Sequence, residues 1–264
     1  MRRHNTLNNF YDEVVLGNVP GHSVVQKFGR NEAVPTTIVP VCIGGIYQTP
    51  TVAVTLEVIS DDADDTAAGT GARNVILQGL DQDFNLIEEE LATAGLSASA
   101  ATTLTFIRLF RIKVTKSGSY ATQTATSQHG TLTIRQSGAG ATWATIDEIA
   151  TDFGVGQSQI GAYTIPNGYT ALLLSKFVSV ETTKSINAYF FQRPNAHIIA
   201  APFEGMRLVE QETGIIEALT RQTKAPLQKF YEKTDIGFMA IASVGTASVS
   251  CDFELMLIEN DYID

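Results

Sequence analysis

The segment ASVSCDFELMLIEN (247–260) constrains the fold more than any other part of the chain. Val249, Cys251, Phe253, Leu255 and Leu257 fall on one side of an extended backbone, while Ser248, Ser250, Asp252, Glu254 and Met256 fall on the other. On a helix of 3.6 residues per turn the same apolar residues would be spread around the axis. Sustained alternation therefore specifies a strand with one buried and one largely solvated face. DIGFMAIAS precedes it across Val244-Gly245-Thr246, and the two read as a terminal hairpin.

The rest of the chain follows the same style. TVAVTLEVI (51–59), LTFIRLFRIKV (104–114) and TLTIR (131–135) are β-branched or alternating. NVILQGL (74–80) and FNLIEEELA (84–92) form a hairpin about Asp81-Gln82-Asp83. YTIPNGYTALLLSKFVSVE turns at Pro166-Asn167-Gly168 and meets SINAYFFQR through Thr182-Thr183-Lys184. GIIEALTRQTKAPLQKFYE (214–232) reads as two strands, because Pro226 would break a helix. Residues 115–130 read as a surface loop, and 144–161 is the one interior stretch with room for a helical turn or two. Only 17% of residues are charged, so the Lys and Glu that coat exposed helices are scarce.

Roughly a dozen short strands with frequent turns predict an all-β, antiparallel β-sandwich or jelly-roll chain. So many strands suggest two sandwich domains, residues 34–157 and a jelly-roll-like 158–264, with GVGQSQIG (154–161) as the link. Residues 1–33, polar and weakly periodic, read as an extended N-terminal arm that orders against a neighbour.

A net charge of −10 argues against nucleic acid or anionic lipid as partner, since both select clustered Lys and Arg. Arg2 and Arg3 are not followed by the apolar core of a signal peptide, and no apolar run has membrane-spanning length. The expectation is a soluble protein. Cys42 and Cys251 sit within apolar alternations and read as buried thiols, with a disulfide unsupported.

SDDADDTAAGTGARN (60–74) is where chemistry would be sought. As a phosphate loop it fails, since Gly69-Thr70-Gly71 is followed by Asn74 where the third glycine belongs. Gly154-Val155-Gly156 fails in the same way at Gln159. Asp65-Thr66-Ala67 approximates the Asp-Thr-Gly of aspartic proteases, but no second copy supplies the other carboxylate of the dyad unless a second subunit does. Asp61, Asp62, Asp64 and Asp65 offer oxygen ligands to calcium without the twelve-residue loop pattern, and a solvated acidic turn is the favoured reading. His4, His22, His129 and His197 are isolated, so zinc is not expected. Glu88-Glu89-Glu90 alternate on a strand edge, and Trp143 reads as a core aromatic ahead of a sugar-binding face. No catalytic, cofactor or metal residue is assigned, and the chain is read as a non-enzyme.

The segment carries a resemblance instead. Asp65 to Arg73, then Gly79-Leu80-Asp81 and Asn85, resemble a recurring block in virion structural proteins of tailed bacteriophages, especially marine ones. HGTLTIR, GQSQIGAYTIPNGYTALLL and DFELMLIEN are similar to further blocks, scattered over residues 35–264. LATAGLSAS departs from the family's usual Leu-Asn-Gly-Thr type turn. The resemblance implies a non-catalytic structural protein of the virion, assembled in the host cytoplasm. It would bind other virion proteins, the major capsid protein favoured, as a decoration or cement protein and a homo-oligomer such as a trimer. A neck, tail or fibre component is the alternative, and a carbohydrate- or receptor-binding module of the particle is another.

Overall fold

The computed structural model describes residues 9–119, 127–150, 153–222 and 228–263. A single helical turn, α1 (Phe10–Val15), opens them, with Asn9 accepting a hydrogen bond from the Tyr11 amide at 3.4 Å. Strands β1 (His22–Val34) and β2 (Val39–Pro40) follow. A compact run of short strands comes next: β3 (Leu56–Ser60), β4 (Ala72–Leu80), β5 (Leu86–Ala92), β6 (Arg108–Ser117), β7 (Leu132–Gln136), β8 (Thr142–Ile146), β9 (Glu148–Ala150) and β10 (Phe153–Gly154). The chain then returns through β11 (Ala162–Thr164), β12 (Tyr169–Val180), β13 (Ile186–Arg193), β14 (Arg207–Ile215), β15 (Ala218–Gln222), β16 (Lys229–Phe230), β17 (Asp235–Ala242) and β18 (Ala247–Glu259).

Two five-stranded antiparallel sheets make the larger sandwich. One runs β1-β18-β12, with β15 and β16 successive on the far side of β12. The other runs β17-β13-β14, with β2 and β11 successive on the far side of β17. Val39 and Pro40 oppose Ala240 and Met239, and Ala162 to Thr164 oppose Gly237 to Asp235. Val41 donates to the Phe238 carbonyl at 2.9 Å, and Phe238 donates to that of Gly161, also at 2.9 Å. β2 and β11 are thus two halves of one strand, interrupted between Val41 and Gly161. Counting each split pair as one strand leaves four strands on four, in the order first-eighth-third-sixth over second-seventh-fourth-fifth. That is the connectivity of a jelly roll.

Everything between Cys42 and Ile160 is an insertion into the second strand of this jelly roll. Sheets β3-β7-β8 and β5-β4-β6 form a smaller sandwich around Leu56, Val58, Val75, Leu77, Ile134 and Trp143, all buried. The jelly-roll core centres on Phe190, whose ring lies 5.0 Å from that of Phe238 and 5.5 Å from that of Phe253. Leu80, Phe84, Ile107 and Phe110 of the insert pack into this second core.

The all-β sandwich class is what the sequence predicts, and the inward set Val249, Cys251, Phe253, Leu255 and Leu257 is fully buried. The β4–β5 hairpin forms, turned by Asp81, whose carboxylate accepts from the Asp83 and Asn85 amides at 2.9 and 2.8 Å. Two strands, β15 and β16, do replace a helix near Pro226, which itself lies outside the described residues.

Four expectations change. β17 and β18 are not a hairpin: each pairs with other strands, and the link at Gly245 carries the chain from one sheet to the facing one. Within the expected N-terminal arm, His22–Val34 pairs with the chain's own β18 along its length. The division at residue 157 is replaced by nesting, because β1 and β2 belong to the C-terminal sandwich. Thr142–Ile146, Glu148–Ala150 and Phe153–Gly154 are short strands where a helical turn had room.

Candidate functional site

The acidic stretch 60–74 is an ordered fastening. Asp65 is fully buried, and its carboxylate accepts four hydrogen bonds. Ser60 Oγ donates at 2.7 Å, the Ala72 amide at 2.7 Å, and the amides of His129 and Gly130 at 3.0 and 2.9 Å. Burial of a charge is tolerable only when it is answered this fully. The neighbouring acids have similar work. Asp61 accepts from the Thr131 amide at 2.7 Å and Asp62 from the Asp64 amide at 2.7 Å. Arg73 closes the loop by donating to the Gly69 carbonyl at 2.8 Å. The two glycines answer to crowding: a Cβ on Gly69 would lie 1.9 Å from the Asp64 carbonyl oxygen, and one on Gly71 would lie 2.1 Å from Asp65 Oδ1.

The expectation of a solvated turn is therefore corrected at its centre. Asp65 ties the start of β4 to the start of β7, and the carboxylates of Asp61 and Asp62 turn toward amides of their own. No group of three or more metal-ligating side chains occurs among the described residues. Gly156 belongs to a similar polar knot, its amide donating to buried Gln128 at 3.3 Å while the Gln128 side chain donates to the Ile146 carbonyl at 2.8 Å. Glu89 accepts from the Thr103 and Leu104 amides, and Glu90 from Thr115 and Lys116, so these edge carboxylates fasten strands. Trp143 is a core residue, 4% exposed. His129 meets Thr70 at 3.2 Å and His197 stacks edge-on to Phe84, each alone. Cys42 and Cys251 are buried free thiols, and burial pushes the Cys42 thiol up to about 12.

The most concentrated polar chemistry lies at the seam between the two sandwiches. Arg108 of β6 forms a two-pronged ion pair with Asp235 of β17, at 2.9 and 3.0 Å, both side chains about 2% exposed. Thr164 donates to Asp235 at 2.6 Å, and Tyr47 meets Thr164 at 2.8 Å. Burial pushes the Arg108 pKa down, yet the Asp235 carboxylate outweighs it and holds the guanidinium above its ordinary range. Nearby, Lys27 of β1 is buried with its ammonium donating to the Phe110 carbonyl and lying 5.5 Å from the Phe110 ring centre. Burial, then the proximity of Arg111, pushes its pKa well down. Sequence reasoning misses Arg108, Asp235 and Lys27, because the partner of each is far away in the chain and no local pattern connects them.

No family model matches the chain, and no curated protein matches it. Among solved structures, the chain is similar to that of the infectious bursal disease virus Gx strain, at 9% identity. That match covers 90% of this chain and 76% of the other, with a TM-score of 0.20. It is also similar to T=1 particles derived from the same virus, at 10% identity over 95% of this chain and 75% of the other, with a TM-score of 0.21.

Proposed function

We propose that this protein is a non-catalytic structural component of a tailed-bacteriophage particle, a capsid decoration or cement protein that binds the major capsid protein. The observation that carries the reading is the Asp65–Arg73 block together with what it does. The residues that resemble the phage family are those that lock the inserted sandwich, so the block behaves as an architectural signature. A jelly roll suits the role, although the same architecture also serves lectin-like domains, and fold alone does not assign function. At one end of the jelly roll the loop after β13 exposes Ile198, Ile199, Phe203 and Met206, a cluster of the kind that marks a protein contact.

Quantifying this chain in purified virions tests the reading. Hundreds of copies per particle are expected for a capsid decoration. A dozen or fewer would move the protein to neck, tail or fibre, and absence from the particle would overturn the proposal.

A further inference from the structure

The outer edge of β1 faces a groove. The Glu259 backbone amide donates to the Gly21 carbonyl at 2.8 Å, and β1 pairs with β18 in continuous register from His22 to Asn31. In an antiparallel pair the backbone groups of alternate residues point away from the partner. The register turns those of Val24, Gln26 and Phe28 away from β18. Gln26 confirms the direction, because its carbonyl accepts from Arg111 on the insert. Among the described residues, no other strand pairs with this edge.

Opposite the edge stands the outer face of the β5-β4-β6 sheet, where Glu88, Gln78 and Arg111 lie in one cross-strand row. Two cavities flank Arg111 along the seam. One, of 460 Å³, is bounded by Val24, Leu86 and Phe110, and the other, of 290 Å³, by Phe28, Gln157 and Ser158. From Val24 to Phe28 the open edge is ~13 Å long at ~3.3 Å per residue.

The groove carries positive charge in an acidic protein. Arg111 and, two residues along β6, Lys113 have no carboxylate within ion-pair distance among the described residues. Of the groove's own acids, Glu88 is engaged by Gln78 at 3.1 Å, and Asp252 at the far end has its carboxyl raised by burial and then by Glu254.

We propose that this seam groove is a peptide-binding site: an extended segment of a partner protein adds as a strand to the edge of β1, displaces Arg111 from the Gln26 carbonyl and offers its guanidinium an acidic side chain in exchange. Main-chain pairing would supply affinity and the carboxylate would supply selectivity. The geometry stands without the virion reading, which bears only on which protein supplies the segment.

Isotope-labelled full-length protein is titrated with the acetylated, amidated hexapeptide Thr-Val-Glu-Val-Thr-Val and with its Gln counterpart, and backbone amides are followed by NMR. With the Glu peptide, the Val24 and Gln26 amides should shift and exchange more slowly. The Gln peptide should bind about tenfold more weakly, and Arg111→Gln should abolish that difference. Unchanged Val24 and Gln26 amides would overturn the proposal, as would equal binding of both peptides by the wild-type protein. The wild-type comparison decides even if the variant fails to fold. Sedimentation showing that the wild-type chain dimerises while Arg111→Gln does not would also overturn it, by assigning the edge to a second copy. Neither result alters the copy number in virions, so the two readings fail independently.

Discussion

At the scale of single residues, the chain places its charges where backbone amides need them. Asp65→Asn keeps the shape but points an amide NH₂ at a cluster of donors, leaving at least one buried N–H without an acceptor. A loss of ~3 kcal/mol in urea unfolding is expected, and a loss below ~0.5 kcal/mol would mean that the loop tolerates opening. Glu57 behaves similarly at the edge of the insert. Burial pushes its carboxyl up, but the Gly138 and Ala139 amides and the Arg135 guanidinium, 2.7 Å away, hold it below the ordinary range. A depressed carboxylate pKa stabilises the fold above the unfolded value of about 4.5 and loses that contribution as pH falls through the folded value. Glu57→Gln should therefore be less stable than wild type at pH 7, with the two unfolding free energies converging below about pH 4.5. A difference that stays constant down to acid pH would refute the electrostatic account.

Among the secondary-structure elements, the corner where the chain leaves and re-enters the jelly roll depends on glycine. A Cβ on Gly161 would sit 2.4 Å from Cys251 Sγ and 2.6 Å from the Val41 carbonyl oxygen, while one on Gly29 would sit 2.3 Å from the Gly161 amide nitrogen. Gly161→Ala should cost ~2 kcal/mol or more by forcing β1 and β11 apart. Gly205→Ala, in open space, should stay within ~0.5 kcal/mol. Equal melting curves for the two variants would show that the corner yields freely. The same corner explains what the sequence conceals. β18 is legible because every inward position is apolar, whereas the inward positions of β1 include Lys27, Gly29 and Asn31, so no alternation announces a strand. Pairing is less legible still. β17 and β18 are adjacent, regular and joined by a tight turn, yet both direct apolar faces into one core and so oppose each other across it. The acidic block is legible as a feature, but its burial depends on His129 and Gly130, residues that no local pattern connects to Asp65.

For the whole molecule, the question is whether an insert spanning Cys42–Ile160 behaves as a separate domain. Its core is its own, but Leu80, Phe84, Ile107 and Phe110 are shared with the jelly roll, and Arg108 is fixed to Asp235 across the seam. Shared burial couples the two bodies, because neither can unfold without exposing the other's core. Asp235→Ala leaves the Arg108 charge buried without its partner and should cost ~3–5 kcal/mol. Replacing both members, as in Arg108→Met with Asp235→Leu, should recover most of that loss. In calorimetry the wild type and Asp235→Ala should each melt in one transition, the variant at lower temperature. Two resolved transitions in the variant alone would mean that the ion pair, and not the apolar seam, joins the bodies. The coupling also bears on the β1 groove, whose two walls belong to different sandwiches. If the bodies melt as one, the groove keeps its width without a ligand, and an extended segment has only to displace the Arg111 side chain from the Gln26 carbonyl.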